Sequence, residues 1–388
     1  MNISVPLSPV RSKRLLSIDG GGLCGLIPAE ALILIEKQLD EITGSQLPLC
    51  DRFDLIGGTS TGAILAAGLS LGLKAGQLRD FYLNFGKGIF SKVFFPIRFW
   101  HSYPSEPLEG HLKEVFGENT TLGSSKLRTQ ILIVSKNATL GTTWFFTNNR
   151  QGKYFNTNAA IPLWQIVRAS SAAPTFFPPQ KIKVPDDLGQ VHNYEFIDGG
   201  VSSYNNPSLQ LFLEATDPQY KFGWPTGTDK IVLLSLGTGF NSITIDEGKA
   251  SRFNLLDWAR YSVKGLLGDA NLQQNVLMHL IGEHPAGPVV ASAAEREALR
   301  ANRRPWRGRA GIHGYWTGGQ KIADLSAHHG QPDARSPGYA RTQRHRPCES
   351  GRTGCCRSNW QPAAHRCRSD QRAGQDGAIK AVLRLSVF

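Results

Sequence analysis

Gly58-Thr59-Ser60-Thr61-Gly62 lies between two apolar runs, Phe53-Asp54-Leu55-Ile56 and Ala63-Ile64-Leu65-Ala66-Ala67. A G-x-S-x-G joining a strand-like run to a helix-like run is the pattern of a nucleophile elbow. The serine then sits on a sharp turn with its hydroxyl above the sheet. Gly58 and Gly62 flank it because side chains there would collide with the turn or with a substrate. The pattern restricts the chain to architectures in which a buried strand feeds straight into a helix. The competing reading is an ordinary turn rich in small residues, so the partners of Ser60 carry the argument.

A second loop of this kind precedes it. Arg14-Leu15-Leu16-Ser17-Ile18 reads as a buried strand, and Asp19-Gly20-Gly21-Gly22-Leu23-Cys24-Gly25 follows. A helical pattern comes next, with Leu32, Ile35, Leu39 and Ile42 on one face and Pro28 in the opening turn. Backbone amides in such a loop, with a helix dipole behind them, suit a negative charge. Three readings compete: an oxyanion hole, a dinucleotide site through Gly20, Gly22 and Gly25, and a structural turn. The dinucleotide fingerprint expects an acidic residue on the next strand. Asp40 and Glu41 lie near that distance but continue the helix. An elbow serine 35 residues after Gly25 favours the oxyanion reading, since acyl transfer needs donors aimed at a developing alkoxide.

Ser60 needs a base. His101, His111, His192 and His279 have no distinctive setting. Asp198 follows the short run Glu195-Phe196-Ile197 and precedes Gly199-Gly200, so it could face a cleft with little cover. Its bland alternative is a turn aspartate capping its own backbone. A free aspartate is a weak base, with pKa about 3.9, and becomes useful when burial penalises its charge.

Taken in order, DGGGLCG at 19–25, GTSTG at 58–62 and DGG at 198–200 resemble the motifs of the patatin-like phospholipases. Gly86–Phe90, Ala169–Pro179, Asn205-Asn206-Pro207 and Leu234–Gly239 are similar to further stretches of that family, and the likeness runs over about residues 12–282. The resemblance implies a Ser60–Asp198 dyad without histidine, with Gly20, Gly21 and Gly22 as oxyanion amides. It implies a lipid acyl hydrolase of the phospholipase A or lysophospholipase type, with no cofactor or metal. Cys24 stands where the family carries arginine, and a thiol does not replace a guanidinium near a charge. Arg14 and Arg52 are candidate substitutes. Two alternatives are retained: a nucleotide-binding protein using the 19–25 loop, and a catalytically impaired relative.

Charge divides the chain. The net charge is +12, but residues from 283 onward hold 18 Lys and Arg against 8 Asp and Glu, leaving the first 282 residues near neutral. That tail has 16 Arg and 2 Lys, and it holds Cys348, Cys355, Cys356 and Cys367. Aliphatic residues thin out between Arg300 and Ala378, and no helical or strand period is sustained. Such a segment buries too little apolar area to offset its ordering entropy. The abrupt switch from Lys to Arg favours translation outside the native frame over a flexible basic tail. A metal site with His345 and His365 and a disulfide cluster are weaker readings.

The expected organisation is an N-terminal extension at 1–11, a catalytic domain at 12–282 and an Arg-rich tail at 283–388. The fold expected is a three-layer α/β/α domain around a mostly parallel sheet, with strands near 14–18, 52–57, 129–135, 193–197 and 231–236. Residues 251–281 read as a helix with Leu255, Trp258 and Val263 at apolar positions. An aromatic stretch, Ile89–Trp100, reads as core packing or as a flap over the serine. No run is long enough for a membrane helix and no secretory signal is visible. The expectation is therefore a cytoplasmic protein, peripheral at membranes, acting on a lipid or membrane-surface substrate and not on nucleic acid.

Overall fold

The computed structural model describes residues 11–89 and 104–286 apart from 187, 228–229 and 240–244, together with 316–317, 320–321 and 383–387. The expected flap over 89–100 lies almost wholly outside the described residues, as do the tail cysteines and the N-terminal extension. Contacts divide the chain into two units, residues 1–292 with 377–388, and residues 293–376. In the second, the strands β9 (Trp316–Thr317) and β10 (Gln320–Lys321) pair antiparallel.

The first unit is built on a nine-stranded sheet. Its strands are β1 (Lys13–Ile18), β2 (Leu55–Thr59), β3 (Gln130–Asn137), β4 (Thr142–Thr147), β5 (Gln180–Pro185), β6 (Val191–Asp198), β7 (Ile231–Leu236), β8 (Glu283–Ala286) and β11 (Leu383–Val387). The order is β5-β6-β3-β2-β1-β7-β11-β8, with β4 also on β3. The central four, β3-β2-β1-β7, run parallel. The outer strands pair antiparallel.

The helices are α1 (Leu26–Thr43), α2 (Thr61–Ser70), α3 (Ala75–Ile89), α4 (Glu106–Phe116), α5 (Phe155–Asn158), α6 (Leu163–Ser170), α7 (Ser208–Thr216) and α8 (Leu255–Ile281). Successive strand residues point to opposite faces, so an unbroken apolar strand feeds two cores. Leu16, Ile18, Ile56, Ile131 and Ile133 pack with α1, α2, α4 and α6 on one side. Leu15, Leu55, Leu132, Val134 and Leu233 pack with Leu211 and Ala215 of α7 and Met278 of α8 on the other. The domain is therefore a mixed α/β fold with helices flanking a sheet whose centre is parallel.

Four details differ from the sequence reading. The second strand begins at Leu55, because Leu49–Asp51 form a 3-10 turn instead. The strand carrying Asp198 enters as part of the β5–β6 hairpin and runs antiparallel to β3. Ile42 is exposed at the end of α1, where Gly44 closes the helix in a left-handed conformation. The sheet also extends past residue 282. From the stretch set apart as tail, β8 and β11 form its far edge, with β11 paired to β7 from Leu383↔Leu236 to Val387↔Val232.

Candidate active site

Backbone crowding builds the elbow. Ser60 follows β2 directly and starts α2, at φ 54° and ψ −121°. A non-glycine residue held at positive φ marks stored strain, as expected where a turn thrusts one side chain outward. A Cβ on Gly58 would stand 2.1 Å from the Gly62 carbonyl oxygen, and one on Gly62 would stand 2.2 Å from that of Ile18. Neither position accepts a side chain while the turn keeps its shape.

Ser60 and Asp198, 138 residues apart, meet here. Ser60 Oγ donates to Asp198 Oδ2 at 2.6 Å, and both residues are more than nine-tenths buried. The other carboxylate oxygen, Oδ1, accepts from the Gly200 amide at 2.7 Å. Burial pushes the Asp198 carboxyl up to about 6, while the bonds from Ser60 and Gly200 pull the other way. The turn-capping alternative is thus also present, through Oδ1, alongside the bond to the serine.

Strand geometry explains the meeting. Thr59 is in register with Val134 on β3, and Ser135 is in register with Asp198 on β6. Because β6 descends antiparallel, its last residue lands beside the point where β2 ends. Gly199 lets the chain turn there, since a Cβ would stand 2.4 Å from the Val134 carbonyl oxygen.

The glycine loop rests against Ser60. A Cβ on Gly20 would lie 3.2 Å from Ser60 Cβ. The three amides differ in state, however. Gly20 N–H donates to the Asn205 carbonyl at 3.1 Å. Gly21 N–H donates to Thr61 Oγ1 at 3.2 Å, a long bond. Gly22, at φ 58°, opens a 3-10 turn, and the first amides of such a turn have no partner within it. The Gly20 carbonyl is held by Thr238 Oγ1 at 2.9 Å and by Asn205 Nδ2 at 3.2 Å. In the sequence, the stretches containing Asn205 and Thr238 resemble the family but carry no cue to this task.

The other candidates fall elsewhere. Among the described residues the histidines bond elsewhere than to Ser60 or Asp198: His192 pairs with Asp186, His279 with the Asn275 carbonyl, and His111 lies near Glu114. His101 is outside the described residues. Asp40, considered for a nucleotide ribose, is on α1 and pairs with Arg52. Arg52 also donates to the carbonyls of Leu39, Ser45 and Leu47. It therefore closes the C-terminal end of α1, the end opposite the glycine loop, and does not replace the family arginine. Cys24 is exposed in the 3-10 turn.

A family described as "Patatin-like phospholipase" matches residues 16–212. Patatin-like protein 2 of Oryza sativa subsp. indica is 31% identical over 276 residues, covering 64% of this chain and 66% of that protein. Patatin group M-3 of Solanum tuberosum is 31% identical over 262 residues, covering 63% and 65%. The chain thus spans just under two thirds of the length of these relatives. Among solved structures, VipD from Legionella pneumophila aligns with a TM-score of 0.31 at 13% identity over 67% of each chain. The type III effector protein ExoU aligns with a TM-score of 0.27 at 16% identity, over 68% of this chain and 54% of that one.

Proposed function

The chain belongs to the patatin-like phospholipase family, and from that premise we propose that it hydrolyses carboxylic esters of lipids through a Ser60 acyl-enzyme, with Asp198 as general base. The observation that carries this reading is the buried 2.6 Å bond from Ser60 Oγ to Asp198 Oδ2.

In the first half-reaction Ser60 Oγ attacks the ester carbonyl carbon and passes its proton to Asp198 Oδ2. The carbonyl oxygen becomes an alkoxide. The tetrahedral intermediate collapses, and the leaving alcohol takes the proton back from Asp198. In the second half-reaction water gives its proton to Asp198 and attacks the acyl-enzyme, and the acid leaves as Ser60 is reprotonated. A carboxyl raised to about 6 is ionised at neutral pH yet more basic than an ordinary aspartate.

The alkoxide needs donors. Of the three proposed amides, Gly22 N–H is the one at the open start of the 3-10 turn. Gly21 N–H joins it if its long bond to Thr61 yields, and Gly20 N–H serves the backbone instead. The N-terminus of α2, which Ser60 caps, adds a favourable dipole. Exposed Leu23 and Ile27 follow the glycine loop, and exposed Val201 follows the base, so acyl-chain methylenes would find apolar contacts beside the reacting atoms. No described helix is long and apolar enough to cross a membrane, so lipid would be met at a surface.

The test is labelling with a fluorophosphonate, paired with a screen over phospholipids, lysophospholipids and acylglycerols. The wild-type chain should be labelled on Ser60, and the Ser60→Ala variant should be neither labelled nor active. A wild-type chain inert to the probe would overturn the reading.

A further inference from the structure

The segment Ala169–Pro179 was singled out in the sequence, and the dyad chemistry gives it no task. Its first residues close α6 against the site. Ser170 is fully buried. Its Oγ accepts from the Ser60 amide at 2.8 Å and donates to the Val134 carbonyl at 2.5 Å. Two residues on, the Ala172 carbonyl accepts from the Asp198 amide at 3.0 Å. One short turn therefore holds the main chain of both the nucleophile and the base. Arg168 braces the same turn, donating from Nη2 to the Pro178 carbonyl at 3.0 Å, with its guanidinium over the Phe177 ring.

We infer that Ser170 is a positioning residue for the dyad: its hydroxyl ties the Ser60 main chain to the β3 edge beside which Asp198 lands, and so sets the distance between Ser60 Oγ and Asp198 Oδ2. This rests on the acyl-enzyme reading above. Three facts support a positioning task over simple core filling. Ser60 sits at a strained φ and needs its amide restrained. The hydroxyl bridges a donor and an acceptor on different elements, which a methyl group of similar size does not do. The same turn also grips Asp198, so a shift of α6 would move both reacting groups.

Two variants and two readouts test it. Ser170→Ala removes the bridge and Ser170→Thr keeps a hydroxyl. In Ser170→Ala, hydrogen exchange of the peptide containing the Ser60 amide should quicken by about tenfold or more. Turnover of a soluble ester should fall by about tenfold to a hundredfold, with KM within about twofold, because an ångström of misplacement costs on that order. The Ser60 hydroxyl bond lowers the Asp198 carboxyl, so loosening it should move the acid limb of the rate profile to higher pH. Ser170→Thr should restore the rate and the limb; if its extra methyl prevents folding, the alanine arm decides alone. Unchanged amide exchange in Ser170→Ala, equal losses in both folded variants, or a slowed enzyme with an unmoved limb would each overturn the inference. A wild-type chain inert to fluorophosphonate would sink the hydrolase reading instead, and the exchange arm would still decide whether Ser170 holds Ser60.

Discussion

Helices α2 and α8 handle apolar residues in opposite ways. Every residue of α2, from Thr61 to Ser70, is buried. The helix is wedged between the sheet and outer helices, and its glycines allow close approach: a Cβ on Gly68 would meet Leu78 at 2.3 Å. Along α8 many apolar residues are left exposed, although Met278 is buried. Leu255 is 88% exposed and Leu266 70%, while Gln274 and Asn275 are buried. Polar bonds anchor that inner face, with Asn206 Nδ2 donating to Asn275 Oδ1 at 3.0 Å and Gln274 Nε2 donating to the Ser203 carbonyl at 2.9 Å. Apolar content therefore says how much surface a helix offers for burial. Position in the layered structure decides whether that surface is used.

The sharpest test of the contrast is at the cap of α2. Ser60→Ala should lower turnover by at least ~10³-fold, leaving only the catalysis that binding and the oxyanion donors supply, as a rate assay would show. Within α2, Leu65→Ala should cost about 2–5 kcal/mol in denaturant melts, since Leu65 is fully buried and its neighbours cannot collapse into the gap. A smaller loss would mean that α2 is less tightly held than its burial implies.

Asp198→Asn should abolish turnover yet raise stability by about 1–3 kcal/mol at pH 8. The sign follows from the raised carboxyl. Burial makes its ionised form costly, so the native state carries the full penalty above about pH 6, and the penalty fades as the pH falls from there toward the ordinary carboxyl value of about 3.9. An amide removes it, so the gap between thermal melts of the two proteins should be largest at pH 8 and close toward pH 4. In the same window wild-type turnover should fall about tenfold per pH unit below about 6, as the base takes up its proton. At the small end of the scale, Leu266→Ala on the outer face of α8 should change stability by no more than about 0.5 kcal/mol. A cost above 1 kcal/mol in melts would show that something packs there in solution.

Much of the candidate site was legible because its cues are local. Glycine spacing about Ser60 and the run into Asp198 report turns that few other residues can make. The parallel centre was legible for a similar reason, since Leu15-Leu16 and Ile131–Val134 are apolar on consecutive positions and so must be buried on both faces. What stayed hidden depends on partners distant in the chain. Nothing near Ser170 says that its hydroxyl meets an amide 110 residues earlier. Nothing near Gly20 says that Asn205 has claimed its N–H. The direction of β6 was also unreadable, because alternation marks a strand without giving its sense. On α8, Leu255, Trp258 and Val263 suggested the inner face, whereas the buried positions are Gln274, Asn275 and Met278.

Asp198 rides on a hairpin that pairs with the rest of the sheet at Ser135↔Asp198, Lys136↔Ile197 and Asn137↔Phe196, with one more bond from the Ala138 amide to the Glu195 carbonyl. The same hairpin is also packed into the main core, where Ile182, Val184 and Phe196 are buried, and the Asp198 amide is held by the Ala172 carbonyl. On warming, Asp198 would then stay beside Ser60 until that core gave way. The upper working temperature of the protein would therefore be set by the melting of the domain and not by the fraying of one seam.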